Sequence, residues 1–323
     1  MLFAGGMDFS ALTIDTPAAA WTGRDDGGDP AHRRWWQAVG NSSAAALDAT
    51  LPGPAALLGF GSDEGVRRNH GRAGAAAAPA AIRGALGSLA FHGERSITDA
   101  GDIVVSGDAL EEGQARAGAA ITAMLDAGYL TMVLGGGHET AYASYLGVAG
   151  TAAVANGARL GVLNLDAHFD LRQASKPSSG TPFLQMAHAE ADAGRELNYA
   201  VVGISEPNNT RALFDTAHRL DVKYLLDEDC TAERTAAFVD AFLETVDIVY
   251  LTIDLDVLPA AVAPGVSAPA AYGVPLPVIA TVCRQVAQSG KLFHADVAEL
   301  NPEFDIDNRT AKVAARLIDT LLR

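Results

Sequence analysis

Short apolar runs alternate along this chain with longer stretches whose apolar residues recur at helical spacing. The runs predict strands over 56–60, 103–105, 131–134, 160–165, 199–203, 223–226, 248–253 and 292–295. Between them the period predicts helices over 79–89, 110–127, 139–155, 182–193, 210–217, 232–245, 277–288 and 307–322. Strands with few polar interruptions predict a sheet covered on both faces. The β–α alternation predicts an α/β protein with a mostly parallel sheet and right-handed crossovers. No Pro-, Gly- or Ser-rich linker and no internal repeat breaks the series, so a single domain over 1–323 is expected. Residues 1–50 read as a less regular N-terminal extension around its edge.

Composition narrows the class. The chain has 323 residues, 49 % hydrophobic and 19 % charged, which is globular and long enough for a large core without disulfides. A net charge of -16 disfavours nucleic acid and anionic membranes by repulsion. Part of that charge suits a carboxylate cluster neutralised by cations. Cys230 and Cys283 have no CxxC or Cys–His spacing and read as reduced thiols of a cytoplasmic protein. The opening "MLFAGGMDFSALTIDTPAAAW" lacks a basic start before a long apolar stretch, so no signal peptide is expected, and Met7 is a second candidate start. No run has the apolar length of a membrane-spanning helix. The Ala-rich "GAAAAPAAIRGAL", with Pro79 and Arg83, reads as a loop entering an ordinary helix.

Ligands of parallel α/β sheets bind at the carboxyl ends of the strands, and four of these ends carry chemistry. "TMVL" leads into "GGGHET" with His138; "LGVL" leads into "NLDAHFD" with Asp166, His168 and Asp170. "DIVYLTI" leads into "DLDVLP" with Asp254 and Asp256, and "KLFHADVA" leads to Glu299. Taken singly, a DxD is a solvated turn, a Gly-Gly-Gly-His a loop with a satisfied histidine, and a DxHxD a network with arginine partners. Jointly they place four carboxylates and two imidazoles at three strand ends, with no matching number of bases nearby. The set has no thiolate and suits Mn2+, less selectively Fe, Co, Ni or Zn. Six donors are too many for one catalytic ion with an open position and fit two ions.

"GGGHE", "NLDAHFD" and "LTIDLDVLP" with "APGVSAPAAYGV" resemble the motifs of the ureohydrolase (arginase/agmatinase) superfamily. "GSDEGVRRNHGRAGAAAAPAAIRGAL", "DAHFDLR" and "APGVSAPA" resemble its formimidoylglutamase branch, from about residue 21 onward. The resemblance implies a three-layer α/β/α sandwich with an eight-stranded parallel sheet, two Mn2+ ions per chain and a homo-oligomer. It implies one ion on His138, Asp166, Asp170 and Asp254, and another on Asp166, His168, Asp254 and Asp256, with Asp166 and Asp254 bridging. It implies hydrolysis of N-formimino-L-glutamate to L-glutamate and formamide, a step of histidine degradation. Glu299 would bind the amidine nitrogen, and Asp170 would accept a proton and relay it to the leaving nitrogen.

Arg172 stands where arginases carry a small amide that touches a substrate carboxylate. A guanidinium fork there favours a dicarboxylate over agmatine. Asn69 and Arg72, in a glycine-bracketed loop with Arg67 and Arg68, are candidates for the substrate's carboxylates, unless Asp63 and Glu64 hold that loop on the surface. Asn208 and Asn209 either contact the substrate or cap the next helix. Ser179 occupies the place of the arginase shuttle histidine, so that shuttle does not carry over, and His188 reads as a structural helix residue. The alternatives are a guanidino-acid hydrolase releasing urea, a single-zinc deacetylase-like enzyme (against which Asp256 argues), and a non-catalytic metal-binding scaffold.

Overall fold

The computed structural model describes residues 12–40 and 53–323. Residues 1–11, with Met7, and 41–52 lie outside the described residues, so the expected extension is described in part only. In chain order the elements are α1 (Trp35–Ala38), β1 (Val39–Gly40), β2 (Ala55–Gly61), α2 (Glu64–Arg68), α3 (Ala78–Gly87), β3 (Ile97–Val104), α4 (Leu110–Asp126) and β4 (Leu130–Leu134). There follow α5 (Thr140–Ala149), α6 (Ala152–Ala155), β5 (Leu160–Leu165), α7 (Pro182–Asp192), β6 (Asn198–Ile204), α8 (Arg211–Arg219) and β7 (Lys223–Leu226). The chain ends with α9 (Ala232–Thr245), β8 (Ile248–Asp254), α10 (Leu276–Gln288), β9 (Leu292–Ala298) and α11 (Arg309–Leu322).

The strands form one sheet in the order β1-β3-β2-β4-β9-β8-β5-β6-β7, and every strand pairing is parallel. Helices α3, α9, α10 and α11 pack one face through Ile82, Val239, Val282 and Leu317. Helices α4, α5, α7 and α8 pack the other through Ile121, Tyr145, Phe183 and Leu213. This is the three-layer α/β/α sandwich that apolar strands with helical crossovers require. The sheet has nine strands rather than eight: the extra one is the two-residue β1, which pairs with β3 at the edge.

Most boundaries shift by one to three residues, and two departures are larger. The stretch 139–155 is two helices: Gly150 is still helical, the backbone turns extended at Thr151 (ψ 154°), and Thr151 caps α6 by accepting from Val154 N. Strand β3 begins six residues earlier than the apolar run, at Ile97 rather than 103. Its polar interior is satisfied laterally: Arg83 pairs with Asp99 at 2.8 Å and with Asp102 at 2.6 Å, and Trp21 Nε1 donates to Asp99 at 2.8 Å.

Strands β8 and β9 insert between β4 and β5, although they come last in the chain. Four adjacent strands, β4-β9-β8-β5, therefore leave the sheet side by side at their carboxyl ends.

Candidate metal centre

The four strand exits with candidate chemistry belong to those four neighbours. Gly136 and Gly137 are obligatory after β4: a Cβ on Gly136 would lie 1.9 Å from Ser62 O, and one on Gly137 2.2 Å from Glu139 Oε2. The tight turn delivers His138 into the gap between β4 and β5.

His138 Nδ1 lies 3.1 Å from Asp166 Oδ2, 2.9 Å from Asp170 Oδ2 and 3.2 Å from Asp254 Oδ2. His168 Nδ1 lies 3.2 Å from Asp256 Oδ2 and 3.5 Å from Asp166 Oδ1. The geometry thus brings together two donor groups, one of His138, Asp166, Asp170 and Asp254, the other of Asp166, His168 and Asp256. Asp166 is common to both, with one oxygen turned to each. Asp254 falls in the first group only; its Oδ1 accepts from Asp256 N at 2.8 Å.

Among the described residues, none of the four carboxylates pairs with an arginine or lysine. Burial pushes the Asp170 and Asp254 carboxyls up, and the neighbouring aspartates add to it. Burial also opposes the charge of Asp166 and of both imidazoles. Their partners win: hydrogen bonds from the two imidazoles lower Asp166, hydrogen bonds to Asp166, Asp170 and Asp254 hold His138 well above the ordinary histidine value, and the charge of Asp256 with hydrogen bonds to Asp166 and Asp256 does the same for His168. A buried cage of carboxylates needs positive charge, and protons on the imidazoles are what the protein alone can supply. Asp256 Oδ1 is buried with no hydrogen-bond partner among the described residues. That orphan oxygen and the all-oxygen-and-nitrogen donor set fit divalent cations of the Mn2+ type, whose binding would displace the imidazole protons.

The backbone is bent to serve the site. Asp170 and Glu299 have φ of 47° and 68°, in the left-handed region that non-glycine residues enter at a cost. Glu299 is buried, its Oε1 accepts from His138 N at 2.7 Å, and its pKa is pushed up to about 8 by burial and by the charge of Glu139.

The remaining candidates separate. Arg172 is exposed and its guanidinium has no ion-pair partner among the described residues. Its stem packs on Gly180, where an added Cβ would lie 2.8 Å from Arg172 Cδ and 3.2 Å from Asn69 Nδ2. Asn69 Nδ2 donates to Ser179 Oγ at 3.2 Å, so Asn69, Arg172 and Ser179 converge. Arg72 is engaged instead: its guanidinium donates to Ser267 O at 3.0 Å and to Val266 O, and stacks 4.0 Å over Phe304. Arg68 is likewise tied to Glu64 and Glu111. Asn208 is exposed in a short 3-10 turn. Asn209 is neither a cap nor free for a ligand. Its Nδ2 donates to Ala167 O and Ser205 O, both at 2.9 Å, and its Oδ1 accepts from Phe169 N at 3.1 Å. All its polar capacity braces the loop carrying His168, while Thr210 takes the cap position of α8. His188 is exposed on α7 rather than packed inside it.

Sequence patterns missed the supporting side chains. Asn164 Nδ2 donates to Asp166 Oδ2 at 2.9 Å, and Thr252 Oγ1 lies 3.0 Å from His138 Nε2. Both are polar residues inside otherwise apolar strands, which is the one signal that could have marked them.

Residues 54–323 match the arginase family. The chain is 58 % identical over 306 residues to a formimidoylglutamase of Nocardia farcinica, covering 95 % of this chain and 96 % of that one. It is 57 % identical over 309 residues to a formimidoylglutamase of Rhodococcus jostii, covering 95 % of each. Among solved structures, formimidoylglutamase from Bacillus subtilis superposes with a TM-score of 0.78 at 22 % identity, over 92 % of this chain and 93 % of that one. Trypanosoma cruzi formiminoglutamase with Mn2+ superposes with a TM-score of 0.74 at 26 % identity, over 83 % of this chain and 92 % of that one.

Proposed function

The chain belongs to the arginase family, and on that footing we infer that it is a metal-dependent C–N hydrolase converting N-formimino-L-glutamate and water to L-glutamate and formamide. The observation that carries the substrate is the near-full-length identity to formimidoylglutamases. The donor cage supports the chemistry.

In this reading the cofactor is two Mn2+ ions. His138, Asp166, Asp170 and Asp254 would hold one, and Asp166, His168 and Asp256 the other, with Asp166 shared; the expected sharing of Asp254 would require its Oδ1 to turn from the Asp256 amide. Bound there, the ions supply Lewis acidity that makes water nucleophilic near neutral pH. Asp170, whose Oδ2 lies 2.9 Å from His138 Nδ1 inside the cage, would hold a proton and pass it towards the leaving nitrogen. Glu299, held through Oε1 by the His138 amide, turns its other oxygen to the amidinium. A cation there favours the ionised carboxylate that burial disfavours. Arg172, with Asn69 beside it, meets a substrate carboxylate. Arg72 serves by fixing the 266–267 loop, and Asn209 by fixing the 167–169 loop.

One catalytic domain, cytoplasmic residence and a homo-oligomer complete the proposal. A single sheet carries every donor. Cys230 and Cys283 are unpaired and buried, with thiols pushed up to about 11 and about 12 chiefly by burial, which suits inert reduced cysteines. No helix among the described residues is long and apolar enough to cross a membrane.

The test is a product assay on Mn2+-loaded protein. Formamide from the formimino substrate supports the reading; urea from a guanidino acid with no formamide would replace it with the guanidino-acid hydrolase alternative.

A further inference from the structure

His138 turns Nδ1 to the carboxylate cage and Nε2 the other way, 3.0 Å from Thr252 Oγ1. Thr252 faces Asp296 across the register of β8 and β9, and its hydroxyl donates to Asp296 Oδ1 at 2.6 Å. Asp296 Oδ2 accepts from Tyr250 OH, also at 2.6 Å. His138, Thr252, Asp296 and Tyr250 are all at most 1 % exposed, so bulk solvent does not reach these bonds.

The direction of this chain is fixed by proton counting. A threonine hydroxyl has one proton, and a carboxylate only accepts. Once Thr252 gives its proton to Asp296, its oxygen can only accept from His138, which must then carry its proton on Nε2. The proton a cation would displace is then the one on Nδ1, which leaves the Nδ1 lone pair facing the cage. Burial pushes the Asp296 carboxyl up on balance, with the hydroxyls of Ser144, Thr252 and Tyr250 opposing it.

We propose that Thr252 and Asp296, braced by Tyr250, are positioning residues that lock the tautomer and ring orientation in which His138 donates to a cation. The chain is a metal–histidine–carboxylate arrangement with a threonine hydroxyl inserted, joining three adjacent strands, β4, β8 and β9, behind the site. None of the three residues touches substrate. Their effect is on cation affinity, and through it on activity.

The inference rests on the two-cation reading of the site and not on the identity of the substrate. The test is Mn2+ titration of the full chain by calorimetry, with thermal melting of the ion-free protein as a separate readout. Thr252→Val keeps the shape and loses the hydroxyl; it should weaken Mn2+ binding about 10- to 100-fold while the ion-free protein still folds. Thr252→Ser restores the hydroxyl and should bind close to the parent. Asp296→Leu, which removes the acceptor that orients Thr252, should weaken binding in the same direction, so the proposal does not depend on one variant folding. Parental affinity in folded Thr252→Val or Asp296→Leu, or a Thr252→Ser variant as weak as Thr252→Val, overturns the proposal. A parent that binds no Mn2+ at all overturns the two-cation reading itself, and is told apart from those results by the parent titration.

Discussion

Glu299 Oε1 accepts a hydrogen bond from the backbone N–H of His138 at 2.7 Å, so the carboxylate assigned to substrate and an assigned metal donor share one anchoring point between β9 and β4. Glu299→Gln preserves that acceptor and removes the charge. The loss of one charge-assisted hydrogen bond, about 1.5–3 kcal/mol, should lower kcat/KM roughly 10- to 150-fold. Metal content by elemental analysis should stay at the parental value; loss of an ion would move Glu299 into the donor set.

Asp166 turns one oxygen to His138 at 3.1 Å and the other to His168 at 3.5 Å. A donor common to both groups should be the least replaceable. Asp166→Ala should lose both ions, and two ions per chain retained in that variant would contradict the partition.

Arg172 and Asn209 should separate recognition from loop support. Arg172→Ala removes an exposed guanidinium with no ion-pair partner among the described residues, so KM for the dicarboxylate should rise with metal content and melting temperature unchanged. Asn209→Ala leaves Phe169 N without its acceptor and takes one of two donors from Ala167 O and from Ser205 O, each of which keeps a backbone N–H. That should cost about 1–3 kcal/mol of stability and weaken metal binding through the displaced loop. A kinetic defect in Asn209→Ala with full stability would return Asn209 to the substrate contacts.

His294 supplies a pH signature away from the metal centre. It is fully buried on β9, its Nδ1 lies 2.6 Å from Thr131 Oγ1, its Nε2 has no partner, and burial lowers its pKa to about 3. Below the ordinary histidine value near 6.5 the unfolded chain binds a proton that the folded chain refuses. Stability therefore falls as pH drops from about 6.5 towards 3, by about 1.4 kcal/mol per unit for one such group. Urea unfolding of the parent and of His294→Gln at pH 5 and pH 7 should show a steeper acid loss in the parent. Equal slopes would mean that the folded state accommodates the proton.

How much of this could be read from the sequence depends on where each residue sits. Strands buried on both faces, such as β5 and β8, are apolar but for Asn164 in the one and Thr252 and the terminal Asp254 in the other, and they stand out. Strand β3 did not, because Asp99 and Asp102 make it polar and only the distant Arg83 makes that tolerable. The six donors were visible because strand exits space them regularly and the residue types are unusual together. Their supports were not. Asn209 looks like a helix cap until the fold brings Ala167 and Phe169 to it, and Thr252 and Asp296 look like strand positions until their register places them opposite one another. The expected contact role of Arg72 gave way because its guanidinium is taken by the carbonyls of Val266 and Ser267, residues far along the chain.

The most direct measurement is proton NMR of Mn2+-loaded protein mixed with N-formimino-L-glutamate, followed to completion and repeated after chelation. The account predicts formamide and L-glutamate appearing in equal amounts, abolished by the chelator and restored by Mn2+. No formamide from the fully loaded protein, or formamide released at the same rate after the ions are stripped, would contradict it.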